Sequence, residues 1–202
     1  MTDVDPPTDA AIGRAAEAIR EGRLVVYPTE TVYGLGADAL DEGCVERVFE
    51  AKGRDRGDPL SLAVPTVERA LEYVEATVRE RAFMREFLPG PITVVTAKGN
   101  RVPDALTGGR PRVGVRVPDH AVVQALLGAV EPITATSANV SGSPSATAVD
   151  ELDPAIREAA AVILDGGKTT GTASTVVDVE ADVIHREGRD AERVRTWLSD
   201  HR

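Results

Sequence analysis

Lys52 and Arg54 stand two residues apart in FEAKGRDRGDPLSLAV, residues 49–64, and two fixed cations so spaced can hold phosphate oxygens. In an extended chain, residues two apart face the same way. On that rule PTETVYG, residues 28–34, presents Thr29, Thr31 and Tyr33 together, and TSANVSG, residues 136–142, presents Ser137 with Asn139. Each pair alone has a plainer account as a solvated loop. Together they describe one polar cleft, with cations for phosphate, hydroxyl and amide groups to orient a small polar substrate, and Gly34, Gly36 and Gly142 to let backbone come close.

Two nucleotide-binding patterns fail on their surroundings. GLGADA, residues 34–39, fits Gly-x-Gly-x-x-Ala, but a dinucleotide fold needs its first glycine directly after a strand, and residues 28–33 intervene after Tyr27. Gly167-Lys168-Thr169 would need a glycine at 162 to make a P-loop, and Val162 stands there inside an apolar run. His120, His185 and His201 lack metal-ligand spacing, so no metal ligands are assigned. Ser137 lacks the Gly-x-Ser-x-Gly elbow of a serine hydrolase.

The elements that must position the cleft alternate along the chain. Thr8 caps a first helix whose Ile12, Ala15, Ala16 and Ile19 recur at helical spacing, and Gly22 stops it. LVVYP follows as a buried strand, and Asp41 opens a helix running out at Gly53. Further helices are expected at TVERALEYV, at residues 77–88 with Thr77 and Glu80 at capping-box spacing, at DHAVVQALLGAV, near DPAIREAA and at DAERVRTWLSD. Strands are expected at PLSLAV, ITVVTA, RVGVRV, PITAT, AVILD, STVVDV and DVIHR. Several runs lie too close for crossover helices, so the class is α/β (α+β), a mixed twisted sheet with helices on both faces. No repeat or linker divides residues 1–202, which are expected to form a single domain.

The chain has 23 basic against 33 acidic residues, net −10, and only Lys52, Lys98 and Lys168 are lysine. That carboxylate surface repels nucleic acid at long range and suits a salty cytoplasm, yet a basic cleft survives locally where the Debye length is about 3 Å, as in molar salt. The one cysteine, Cys44, excludes internal disulfides and reads as a buried inert thiol. There is no signal peptide pattern and no run of about 18 apolar residues, so a cytoplasmic location is expected.

LVVYPTETVYGLGADA, the Lys-x-Arg of AKGRDRGDPL, LPGPITVV, VGVRVP, TSANVSG and STVVD together resemble the YrdC/Sua5 family, in order over about residues 12–188. The resemblance implies a three-layer fold with a concave basic cleft, and an L-threonylcarbamoyladenylate synthase. Such an enzyme makes threonylcarbamoyl-AMP and pyrophosphate from L-threonine, bicarbonate or CO2, and ATP, with Mg2+ held mainly by phosphates. The product feeds N6-threonylcarbamoyladenosine at tRNA position 37 through a separate transfer complex. By the same resemblance, Thr31 contacts threonine, with Arg116 and Ser174 near its carboxylate or hydroxyl. Lys52, Arg54, Ser137 and Asn139 surround the triphosphate and reacting centre, and Arg186 lies near the nucleotide. A carbamate is already an anion, so the chemistry needs positioning and cations rather than a base or nucleophile.

Some positions depart from the family pattern. Asp55 and Asp58 stand where proline and Asn or Lys are usual, and a carboxylate at 58 would repel phosphate unless Mg2+ intervenes or Arg56 neutralises it. Glu187 replaces a usual proline, and the C-terminal domain of longer Sua5 proteins has no counterpart in the chain. Rival readings are a YciO-type paralogue, which lacks both the Lys-x-Arg and Ser-x-Asn pairs, and a double-stranded RNA-binding or ribosome-maturation protein, disfavoured by net charge. Carbamoyl transfer, as in a domain of hydrogenase maturation proteins, is a third.

Overall fold

Alternation along the strands decides which side chains meet which layer. In the computed structural model, which describes residues 3–201, β2 (Leu24–Tyr27) sends Leu24 and Val26 into one apolar cluster and Val25 and Tyr27 into another. β8 (Ala160–Leu164) divides likewise, Ile163 to the first cluster and Val162 with Leu164 to the second. A period of two therefore builds a core on each face of one sheet.

The remaining strands are β1 (Asp3–Asp5), β3 (Gly34–Gly36), β4 (Ser61–Ala63), β5 (Ile92–Ala97), β6 (Arg112–Arg116), β7 (Ile133–Ser137), β9 (Thr175–Asp178) and β10 (Val183–Arg186). Their order is β1-β8-β2-β3-β7-β4-β6-β5-β9-β10. β1, β8 and β2 run parallel, as do β4 with β6 and β5 with β9, while the other pairings are antiparallel. The sheet is mixed, as the spacing of the runs predicts.

The first cluster is covered by α2 (Glu42–Lys52), α4 (Val78–Phe87), α7 (Pro154–Ala159) and α8 (Ala191–Asp200), with the short α3 (Val67–Ala70) and α5 (Asp104–Thr107) beside them. The second is covered by α1 (Asp9–Arg20) and α6 (Ala121–Ala129). Helix starts follow the predicted caps. Thr8 accepts from Ala11 N, Asp41 from Cys44 N, and Thr77 with Glu80 forms a full capping box. The helix expected over TVERALEYV closes after one turn, because Ala70, Leu71, Glu72 and Tyr73 pass into a turn that leads to the Val74–Lys98 bridge.

Three elements lack a sequence signal: β1, α5 and β3. In β3, packing itself requires glycine at 34 and 36. A Cβ on either would meet the Tyr27 ring, at 2.7 and 2.8 Å. No helix of the described residues is long and apolar enough to cross a membrane.

Candidate active site

α1 and α6 cover only part of their face of the sheet. Beyond Ala63 and Ile133, among the described residues, no helix lies over β4, β6, β5 and β9 on that side, and the bare sheet floors a cavity of about 640 Å³. The strands prepare for this by alternating apolar and polar residues. Ile92 and Val94 of β5 and Val113 and Val115 of β6 enter the first core, while Thr93, Val95, Arg112, Gly114 and Arg116 face the cavity. Arg54, Arg110, Arg112, Arg116 and Arg186 line it against one carboxylate, Asp178, although the whole chain is net −10.

Of the residues proposed from sequence, Thr31, Arg54, Arg116, Ser137, Ser174 and Arg186 line this cavity together. Thr29 Oγ1 is 2.8 Å from Thr31 Oγ1 and accepts the amides of Thr31 and Val32, so the PTE turn is fixed by its own hydroxyl. Tyr33 lines the cavity together with Thr29 and Thr31, but its hydroxyl is already engaged. Its ring belongs to the first core, its hydroxyl donates to Gly167 O at 2.7 Å, and burial beside Asp165 pushes its pKa up to about 12.

Lys52 and Arg54 do not point jointly. Lys52 ends α2, and Gly53 at φ 54 turns the chain left-handed, so the pair is not an extended segment. Lys52 is 1% exposed and does not line the cavity; its Nζ donates to Ser137 O and, at 2.7 Å, to Asn139 O. Burial, then the nearby Arg54 charge, brings its pKa down to about 8. Arg54 reaches the cavity, held by Asp58 O at 3.0 Å and Pro59 O at 3.2 Å. Ser137 and Asn139 diverge in the same way. β7 ends at Ser137, and the Asn139 amide turns back to Val140 O and Ser143 O at 2.8 and 2.9 Å. Lys52 and Asn139 thus stand behind the wall that Ser137 and Arg54 face.

Arg116 donates to Glu30 at 2.5 Å, while its buried Nε has no partner. Arg186 donates from Nε to Ser174 O and from Nη2 to Ser174 Oγ, at 3.0 and 2.9 Å. Burial, with Arg116 and Arg54 nearby, lowers the Arg186 pKa from its ordinary value. Neither Arg54 nor Arg186 has a carboxylate partner among the described residues. Arg110, bonded to Gly57 O, has none either, which leaves three unneutralised cations at one cavity. The departures at 55 and 58 fall outside it. Asp55 accepts from Gly57 N at 2.7 Å, neither carboxylate lines the cavity, and Arg56 pairs with Glu46 rather than Asp58. Glu187 likewise pairs outward, with Arg195. Cys44 is buried, and burial with Asp41 pushes its thiol up to about 11.

Thr93, Arg112, Ser145, Asp178 and His185 also line the cavity and were missed from sequence. For Thr93 and Arg112 the signal was present, in the polar positions alternating through ITVVTA and RVGVR. For Ser145, in an irregular loop, there was none.

The family model described as Telomere recombination, Sua5/YciO/YrdC, matches residues 17–188. The chain belongs to this Sua5/YciO/YrdC family. It is 46% identical over 169 residues to the threonylcarbamoyl-AMP synthase of Pyrococcus abyssi, covering 82% of this chain and 49% of that one. The chain thus spans about half the length of that curated relative. The crystal structure of P. abyssi Sua5 complexed with L-threonine superposes with a TM-score of 0.83 at 40% identity, over 96% of this chain and 60% of that one. Escherichia coli YciO superposes at 0.85 with 28% identity, over 94% and 97%. The mixed three-layer fold is therefore that of Sua5 and YciO.

Proposed function

We propose that this chain is an L-threonylcarbamoyladenylate synthase of the cytoplasm, and that the ten-stranded unit carries the reaction by itself. The observation that carries the reading is the bare half of the sheet, where five arginines face one carboxylate in a chain of net charge −10. The amine of L-threonine adds to CO2 and loses a proton, giving a carbamate. A carbamate oxygen then attacks the α-phosphorus of ATP, the bond to the bridging β-oxygen breaks, and pyrophosphate leaves. Charge grows on the phosphoryl oxygens, and fixed cations in a partly desolvated cavity stabilise it without reorganising.

Arg54 and Arg186 are assigned to the phosphates, as the family resemblance implies, and like Arg110 their guanidinium groups reach the cavity without a carboxylate to neutralise them. Thr31, Arg116 and Ser174 are assigned to threonine. Ser137 faces the reacting centre, and Lys52 and Asn139 set its loop. Mg2+ enters with ATP as part of that substrate, held by phosphate oxygens; among the described residues no group of three or more His, Cys, Asp or Glu is arranged for a metal ion. The product is a mixed anhydride, consumed by a separate tRNA-modifying complex.

Pyrophosphate release tests the reading. It should require ATP, L-threonine and bicarbonate together, and glycine should not replace threonine. Release without bicarbonate would exclude the assignment. A YciO-type role is the second reading, supported by the superposition over 97% of that chain. It predicts no threonine-dependent release at all. RNA binding, tested by salt titration, should be absent at physiological salt.

A further inference from the structure

Thr93 lies in β5, 4% exposed, on the side of the sheet that floors the cavity. Its two branches are fixed in opposite directions. The methyl lies over Gly114 of β6, 3.0 Å from where a Cβ there would stand, and Oγ1 is 3.0 Å from Ser174 Oγ. Ser174 Oγ accepts from Arg186 Nη2 at 2.9 Å. A serine hydroxyl has two lone pairs and one proton, and a guanidinium only donates. Arg186 therefore fills one lone pair. When Thr93 donates to the other, the Ser174 proton has to point away from both neighbours, into the cavity. The reverse orientation would spend that proton inside the wall. Extending the β5–β6 register by one residue from Val94–Val115 places Thr93 across from Arg116, whose buried Nε is unpartnered. Arg116 and Ser174 thus flank Thr93 on the sides of its two neighbouring strands, and both residues line the cavity.

We propose that Thr93 is a positioning residue which, by donating to Ser174, presents the serine proton to the carboxylate of the amino-acid substrate. The inference rests on the threonine-binding reading above. It assigns the amino-acid end of the cavity to the corner between β5, β6 and β9, and makes Arg186 → Ser174 ← Thr93 a single unit.

Calorimetric titration of L-threonine without ATP, on folded protein matched by circular dichroism, tests it. Thr93→Val keeps the shape and loses the donor, and should weaken threonine binding by about tenfold, the upper range for one hydrogen bond. Thr93→Ala should do the same and stands in if the valine variant does not fold. Thr93→Ser should bind within about threefold of wild type, and the KM for ATP should stay within about twofold in all three. Because Thr93 acts through Ser174, Thr93→Val should add nothing on a Ser174→Ala background. A Thr93→Val loss below about twofold, or one undiminished in that background, overturns the role of Thr93 alone. Wild-type protein that takes up no L-threonine overturns the functional reading, and this inference with it.

Discussion

One face of the sheet carries two regions that differ in a single respect. Over β8, β2, β3 and the near end of β7, helices α1 and α6 lie on it; beyond Ala63 of β4, among the described residues, no helix covers β4, β6, β5 and β9. Under the helices the sheet presents Val25, Tyr27, Ile133, Val162 and Leu164. In the open region the same-facing positions are mostly polar, Ser61, Thr93, Arg112, Arg116 and Asp178, with Gly114, Val95 and Val176 among them. The covered side chains are held by packing, with Ala11, Ala15, Ala16 and Ala18 letting α1 approach closely. The open ones are held by bonds to each other and to backbone, as Arg112 is by Glu80, Asp178 and Val95 O. A site forms where the apolar layer stops, and its precision comes from polar contacts that the apolar half does not need.

The comparison breaks first at stability. Leu126 of α6 is fully buried in the covered half, so Leu126→Ala should lower unfolding free energy by about 2–5 kcal/mol. Substrate KM should stay as in wild type. Denaturant titration alongside steady-state kinetics checks this, and a large KM change would mean the two halves are mechanically coupled.

The next effect tests Lys52. Its ammonium occupies a slot with two carbonyl acceptors, which a wide planar guanidinium does not fit. Lys52→Arg should therefore lower turnover about 100-fold, the loss expected for reacting groups displaced by about 1 Å. Lys98→Arg, on an ammonium paired with Asp104, should stay within about twofold. A pH series adds a sign. With a folded pKa of about 8 against 10.5, Lys52 loses its proton as pH rises through about 8, and turnover should fall there. Between those values the unfolded chain binds the extra proton, so the contribution of Lys52 to stability rises with pH. Turnover that falls while the thermal midpoint does not fall with it would separate the slot from unfolding.

Sequence reading succeeds where one local rule acts alone. Thr8, Asp41 and Thr77 cap as expected, since a cap needs only its own turn. It fails where a single residue redirects the chain. Gly53 separates Lys52 from Arg54, and the end of β7 separates Ser137 from Asn139, so two pairs that look jointly aimed are a facing residue and its support. β3 was hidden because Gly-Leu-Gly has no strand propensity, and its reason for being glycine is a Tyr27 ring supplied by the neighbouring strand. The cavity itself depends on which half of the sheet lacks a helix, and only the tertiary arrangement decides that.

Ser137 and Ser143 sharpen the comparison within one loop. Ser137→Ala should reduce turnover by about tenfold or more, since Ser137 lines the cavity to which the proposed reaction is assigned. Ser143 is bonded through its backbone, its amide donating to Val140 O and its carbonyl accepting from Asn139, so Ser143→Ala should stay within about twofold. Equal losses would show that the serine hydroxyls act through loop order rather than contact, and would move Ser137 from the open region to its support.

A small effect is also expected at Lys168, where the chain crosses from the covered half to the open one. The crossover from β8 to β9 contains Gly167-Lys168-Thr169, and a phosphate loop there would need free amides aimed at the ligand and a helix to follow. No helix follows, and alternate amides are already taken. The amide of Gly167 donates to Asp165 Oδ1 at 3.0 Å, that of Thr169 to Thr147 O at 2.8 Å, and that of Gly171 to Thr31 O at 2.8 Å. The chain then enters β9 rather than a helix. With these three amides bonded to the walls, the segment is a strap that ties the Thr31 turn in place, and the exposed Lys168 ammonium adds only a screened charge. Lys168→Ala should leave ATP affinity within about threefold, the scale of one solvated charge. Gly171→Ala should cost more, because φ +81 and Thr147 Cγ2 at 3.2 Å oppose a side chain there, and its loss should appear in threonine binding through Thr31. Titrating ATP and threonine separately into both variants decides the matter: a Lys168 variant that loses ATP but keeps threonine would make the strap part of the phosphate site after all.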